Sequence, residues 1–75
     1  MTAPGQNWIE TLRAFDARIL AAEAAVREQA TRVMEALEER HDIAAAKARF
    51  TVLREALSQL RRERDAWRDA LAPQD

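Results

Sequence analysis

Few of the residue types that perform chemistry occur in this chain of 75 residues. His41 is the sole histidine, Ser58 is the sole serine, and cysteine and tyrosine are absent. Catalytic groups also need a concave pocket that excludes water, which a chain of two helices lacks. The sequence therefore predicts a protein that is not an enzyme, with no catalytic residues and no cofactor.

One short motif has the spacing of metal ligands. Glu38-Glu39-Arg40-His41 contains Glu-x-x-His, whose first and last side chains share a helical face, as they do in di-iron bundle proteins. Such a site needs further carboxylates from facing helices, and only Glu35 and Asp42 are close in sequence. The other interpretation is a solvated helix end, with His41 near the last carbonyls. We predict no metal site.

An arginine cluster, Arg61-Arg62-Glu63-Arg64, lies near the C-terminal end of the chain. Such cations can contact phosphates, and Trp67 could stack on a base. Acidic residues are interleaved with the arginines and the formal net charge is −1, which favours a solvated, salt-bridged helix face. Nucleic-acid binding is therefore the alternative prediction, and its candidate residues are Arg54, Arg61, Arg62 and Arg68.

Two hydrophobic stripes with helical spacing run through the chain. Their positions lie alternately three and four residues apart, which is the a/d pattern of a coiled-coil seam. The first stripe consists of Leu12, Phe15, Ile19, Ala22, Val26, Gln29, Val33 and Ala36. The second consists of Ile43, Ala46, Phe50, Leu53, Leu57, Leu60, Arg64, Trp67 and Leu71. Each stripe predicts a long amphipathic helix. The predicted core is Leu12, Phe15, Ile19, Val26, Val33, Phe50, Leu53, Leu57, Leu60 and Trp67.

The relative phase of the stripes favours a hairpin. Val33 and Ile43 are ten residues apart, which is not a heptad multiple, and at about 100° per residue one straight helix would place the stripes on nearly opposite faces. We predict a single all-α domain, 1–75, an antiparallel two-helix hairpin with helices over about 7–38 and 43–72 and a turn over about 39–42. Asp42 would be the N-cap of the second helix. The alternative is one continuous helix in a dimeric coiled coil, because the predicted turn contains neither glycine nor proline.

The two halves of the chain carry opposite charge. Residues 8–39 have four basic and seven acidic side chains, a net −3, and residues 40–71 have eight basic and five acidic ones, a net +3. Beside the second stripe a basic residue recurs every seven positions, at Arg40, Lys47, Arg54, Arg61 and Arg68. In an antiparallel hairpin this row faces acidic residues beside the first stripe. We therefore predict that Glu23 meets Arg61 and that Asp16 meets Arg68.

Large apolar residues also lie outside the stripes, which indicates a second contact surface. A chain this short buries little surface, so a lone hairpin is expected to be marginally stable. The simplest solution is a homodimer of hairpins that forms a four-helix bundle. The same surface could instead dock on a different protein. The candidate partner-binding residues are Trp8, Leu20, Met34, Leu37 and Val52.

This organisation is similar to that of the small Rop-type hairpin proteins, which dimerise into four-helix bundles and modulate RNA pairing. It also resembles short helical-hairpin chaperones of bacterial secretion systems. Both likenesses are architectural and carry no functional residues across. The sequence predicts a non-enzymatic protein-protein interaction module, an adaptor, chaperone or inhibitor that acts through a helical surface. A Rop-like bundle that binds nucleic acid is the alternative.

The location of the protein follows from what the sequence lacks. No stretch approaches the roughly 20 apolar residues that cross a bilayer, and the first residues show no signal-peptide pattern. Neither helix opposes a strongly apolar face with a uniformly basic one, so no membrane partner is expected. The cytoplasm is the expected location. Frequent alanine and the preference for arginine over lysine are typical of a GC-rich bacterial or phage coding sequence.

Overall fold

The protein is a pair of antiparallel helices. The computed structural model describes the backbone of residues 4–71 and the side chains of residues 8–71. Helix α1 spans Pro4–Glu39 and helix α2 spans Ile43–Leu71. They pack along their length in a hairpin that measures 57 × 24 × 14 Å. The predicted all-α hairpin is confirmed, and the alternative of one continuous helix is wrong.

The start of α1 reflects the conformational preference of proline. The helix begins at Pro4 and not near residue 7, because the fixed φ of proline suits the first turn, where its missing N–H would be unpaired in any case.

Neither α1 nor α2, over the residues described, has an apolar stretch long enough to cross a membrane.

The chain reverses direction over three residues. Arg40 has a φ of 53°, and the backbone N–H of His41 donates to the carbonyl oxygen of Ala36 at 3.1 Å. This is the hydrogen bond of a Schellman cap, with arginine in the left-handed position that glycine usually occupies. Asp42, also left-handed at 54°, accepts the first hydrogen bond of α2 from the N–H of Ala46. The expected cap from His41 is thus made by its backbone, whereas its Nε2 lies 3.0 Å from Asp42 Oδ2.

The interface between the helices consists of the two predicted stripes. Ile19, Ala36 and Leu57 are its buried apolar side chains, and Gln29 is buried with them. The other predicted core residues are half-buried, with one exception: Leu12, Phe15, Val26, Val33, Phe50, Leu53 and Leu60. The exception is Trp67, which is 40% exposed. Its placement in the core was wrong, because a contact between only two helices leaves part of so large a ring uncovered.

Gln29 is the polar residue of the first stripe. Its side-chain Nε2 donates to the backbone carbonyl oxygen of Ala46 across the interface at 3.1 Å. An amide buried without a partner would destabilise the fold, so this contact favours the register in which Gln29 lies beside Ala46. The hydrogen bond therefore helps to fix the alignment of α1 and α2 near the turn.

Charged residues flank the interface on one side of the hairpin. Arg61 pairs with Glu23 at 2.8 Å, as the sequence predicted. Asp16, however, pairs with Arg64 at 3.4 Å and not with Arg68, whose nearest carboxylate is that of Asp65 at 3.9 Å. In the register of the hairpin, Arg64 lies level with Asp16, and Arg68 is one helical turn closer to the open end. The Arg61 pair is partly exposed, so it contributes roughly 0.2–1 kcal/mol.

The buried position of Leu57 gives a direct test of the interface. Leu57→Asp would place a carboxylate where only 7% of the residue surface is exposed, which should destabilise the hairpin by about 3 kcal/mol or more and unfold it. Circular dichroism should show loss of helix, while Ala56→Asp, one residue away and exposed, should retain it. Unchanged helicity and unchanged mass in Leu57→Asp would contradict the assigned interface.

The left-handed turn makes a second prediction. Arg40→Gly should raise the free energy of unfolding by about 1 kcal/mol, because glycine adopts a positive φ without the steric penalty of a Cβ atom. Glu39→Gly is the matched control. It places glycine in the last helical residue and should lower stability by about 1 kcal/mol. Urea denaturation followed by circular dichroism measures both values, and equal destabilisation by the two substitutions would contradict the cap.

Candidate interaction surface

Two shallow grooves, one on each broad side of the hairpin, establish which side chains share a side. One groove is lined by Asp16, Ile19, Leu20, Glu23, Arg61 and Arg64. The other is lined by Ala25, Glu28, Gln29, Arg32, Arg49 and Leu53. The ion pairs between α1 and α2 described above therefore lie on the same side as Leu20.

The side that contains Leu20 combines apolar and basic residues, and we call it the mixed face. Helical neighbours lie three and four residues apart, so the residues that follow Leu20 and Glu23 on this side of α1 are Arg27, Ala30, Met34 and Leu37. Arg13 precedes them. By the same spacing from Arg61, the mixed face includes on α2 Ala44, Lys47, Thr51, Arg54, Ser58, Asp65 and Arg68.

Three of the five predicted partner-binding residues lie together on the mixed face. Leu20 is 67% exposed, Met34 is 58% exposed and Leu37 is 42% exposed. Val52 is 55% exposed, but it lies one turn from Arg49 and therefore belongs to the opposite side. Trp8 is at the open end of the hairpin and is 37% exposed. The five predicted partner-binding residues therefore lie in three places, which are the mixed face, the opposite side and the open end of the hairpin.

The open end carries an apolar cluster that sequence reasoning only partly located. Trp8, Ile9, Trp67 and Leu71 are all between 37% and 40% exposed. The stripes suggested that Trp67 is covered, because the heptad pattern continues to the end of α2. The pattern does not specify how much of a large ring two helices alone can cover.

The four arginines of the nucleic-acid alternative all contact their own chain. Arg61 pairs with Glu23, and Arg62 donates to the side-chain oxygen of Gln59 at 2.8 Å. Arg68 is near Asp65, and the guanidinium of Arg54 lies 5.6 Å from the centre of the Phe50 ring. The carboxylates beside Arg61 and Arg68 reduce the charge that these two offer to a phosphate backbone, whereas Arg54 and Arg62 keep their full charge. Nucleic-acid binding stays a prediction that no geometric feature of these arginines favours.

The candidate metal and catalytic residues lie apart. Because α1 ends at Glu39, Glu38 and His41 do not share a helical face, and the described part of the chain holds no cluster of three potential metal ligands. Ser58 is in the middle of α2, roughly 25 Å along the helix from His41 at 1.5 Å per residue. Ser58 and His41 are therefore too far apart to act together as a nucleophile and its base.

Arg64 is one of two charged residues among those described that the interface half-buries, and Glu23 is the other. Its side chain is 27% exposed and its terminal nitrogens lie 3.4 Å from the carboxylates of Asp16 and Asp65. Its Nε is buried without a hydrogen-bond partner. A buried donor of this kind costs about 1–3 kcal/mol when it is left unpaired. The presence of arginine at this position of the second stripe therefore lowers the stability of the hairpin.

Replacing Arg64 should stabilise the hairpin. Arg64→Leu removes the unpaired donor and adds apolar contact, so the free energy of unfolding should rise by about 1 kcal/mol. The control is Arg61→Leu, which removes only a partly exposed ion pair and should lower stability by roughly 0.2–1 kcal/mol. Both are measured by urea denaturation. An Arg64→Leu variant that is less stable than the original protein would contradict this account of the side chain.

Similarity to known proteins adds no further constraint on the mixed face. Comparison of the chain with protein-family models, with curated proteins and with solved structures finds no match.

Proposed function

We propose that this protein is a non-enzymatic interaction module that binds a target protein through the mixed face, as an adaptor, chaperone or inhibitor does. The observation that carries the proposal is the exposure of Leu20 and Met34, at 67% and 58%. Both are large apolar side chains on one side of a rigid helix. Covering such side chains stabilises a complex, since full burial of one leucine or methionine contributes about 1.5–3 kcal/mol.

The geometry suits recognition of a helix. Leu20, Met34 and Leu37 follow one side of α1 at helical spacing, and the basic row of α2 borders them. An amphipathic helix of a target could place its apolar side along α1, in the way that helices dock into hydrophobic grooves. The basic border would orient the target, because charge at the edge of an interface contributes more to specificity than to affinity.

Self-association is a second part of the proposal. The hairpin buries few apolar side chains, namely Ile19, Ala36 and Leu57 among those described, which is a small core for a domain of this length. A closed twofold dimer that forms a four-helix bundle would cover more apolar surface. We propose such a homodimer, with the mixed face left open for the target.

The proposal is tested by comparing baits that differ on one face. The Leu20→Lys/Met34→Lys variant should fold normally, because both residues are exposed, but it should lose the target. Val52→Lys is the control on the opposite side, where Val52 is also apolar and exposed. The homodimer would form there, so this variant should keep the target even if light scattering shows that the dimer is weakened. Quantitative mass spectrometry of proteins recovered from the native host measures the difference. The same proteins recovered by all three baits would contradict a role for the mixed face.

A further inference from the structure

The half of the mixed face nearest the turn has a charge of one sign. Its basic residues are Arg27 on α1 and Lys47 and Arg54 on α2, and none of the three forms an ion pair within residues 8–71. By helical spacing, no acidic residue is assigned to this half. The nearest acidic side chains, Glu38 and Glu55, are one residue further round their helices; Glu55 lines a groove with Thr51, Arg54 and Ser58 but forms no ion pair with Arg54. Met34 and Leu37 lie beside Lys47, nearer the turn than Arg27 and Arg54.

The half nearest the open end is different. All three acidic residues of the mixed face, Asp16, Glu23 and Asp65, are on this half. They are engaged by arginines at 2.8 to 3.9 Å. The positive charge of this half is therefore largely neutralised within the chain, whereas that of the half near the turn is not.

We propose that the half of the mixed face nearest the turn binds an amphipathic helix with an acidic flank. This inference rests on the proposed function and specifies its partner. The apolar side of the bound helix would cover Met34 and Leu37. Its aspartates or glutamates would lie against Lys47 and Arg54, which are seven residues apart on α2 and so about 10 Å apart. Acidic residues two turns apart in the partner match that separation.

A second copy of this chain fits the same half poorly. Two mixed faces placed against each other with their turns at the same end would oppose Arg27, Lys47 and Arg54 with the same three cations. With the turns at opposite ends, the basic row of α2 would lie against itself, and like charges in direct opposition disfavour association. The carboxylates of the copy that lie near the turn and form no ion pair, Glu35, Glu38 and Glu39, are on other sides of α1. The charge pattern therefore favours a different protein as the occupant.

The probe is a synthetic helix of about 18 residues, or five turns. It has leucines along one side and glutamates seven residues apart along one flank. A second peptide carries lysines in place of the glutamates. We expect the glutamate peptide to bind the full-length protein about tenfold more tightly at low salt, a difference that added salt should reduce. Fluorescence anisotropy measures both affinities, with a duplex RNA of equal charge as a further probe.

Three variants assign the result to this half of the face. Lys47→Glu/Arg54→Glu should reverse the preference between the peptides, Met34→Lys should weaken binding of both, and Val52→Lys should change neither. Circular dichroism checks that each variant is folded. Equal binding of the two peptides, or stronger binding of the RNA than of the glutamate peptide, would overturn the inference. So would a homodimer that Met34→Lys dissociates, because a second copy would then occupy the face.

The two proposals fail in different ways. If the host proteins are lost from the Leu20→Lys/Met34→Lys bait but the glutamate peptide has no advantage, the mixed face binds proteins and only the acidic partner is wrong. If that bait recovers the same proteins as the original chain, the proposed function itself is wrong, whatever the peptides do.

Discussion

The reversal of the chain at residues 40–42 is the constraint on which the rest of the structure depends. Val33 of the first stripe and Ile43 of the second are ten residues apart, which is not a multiple of the heptad. The two stripes can therefore be buried together only if the helix ends between them. The backbone does this with two left-handed residues, Arg40 and Asp42. A left-handed residue other than glycine is unfavourable by about 1–2 kcal/mol. The burial gained along α1 and α2 compensates for that strain, so packing and not local preference determines where the helix ends.

This balance explains which parts of the fold could be predicted from the sequence. The period of the apolar residues determines which side of each helix is buried, and it identified Ile19 and Leu57 correctly. The turn was predicted from the phase of the stripes, the opposite charge of the two halves and Asp42 as an N-cap, since no glycine or proline indicates it. The errors concern the exposure of large side chains and the exact register of the two helices, which the periodicity does not specify. Trp67 is exposed because two helices alone leave part of its large ring uncovered, and Asp16 pairs with Arg64 because the exact register decides between residues one turn apart.

The candidate surface was less predictable than the fold, for a related reason. Apolar residues off the stripes are visible in the sequence, but the side of the hairpin on which each lies depends on how the two helices pack together. Leu20 and Met34 share a side with the basic row, whereas Val52 lies on the opposite one. Likewise, the basic row is regular in sequence, but the ion pairs that remove part of its charge appear only when distances such as the 2.8 Å between Arg61 and Glu23 are known.

The same charges limit the form that a complex on the mixed face can take. If a second hairpin packed squarely on this face, Glu23, Arg54 and Arg61 would lie at the centre of a four-helix bundle, where charged groups lose their hydration and destabilise the assembly unless each is fully paired. Two copies with their turns at opposite ends would also bring the basic row of α2 against itself. A single helix lying along α1 avoids both effects, because it covers Met34 and Leu37 and leaves the charges of α2 at the edge, in contact with water. The distribution of charge thus makes the mixed face better suited to one partner helix than to a second layer of the bundle.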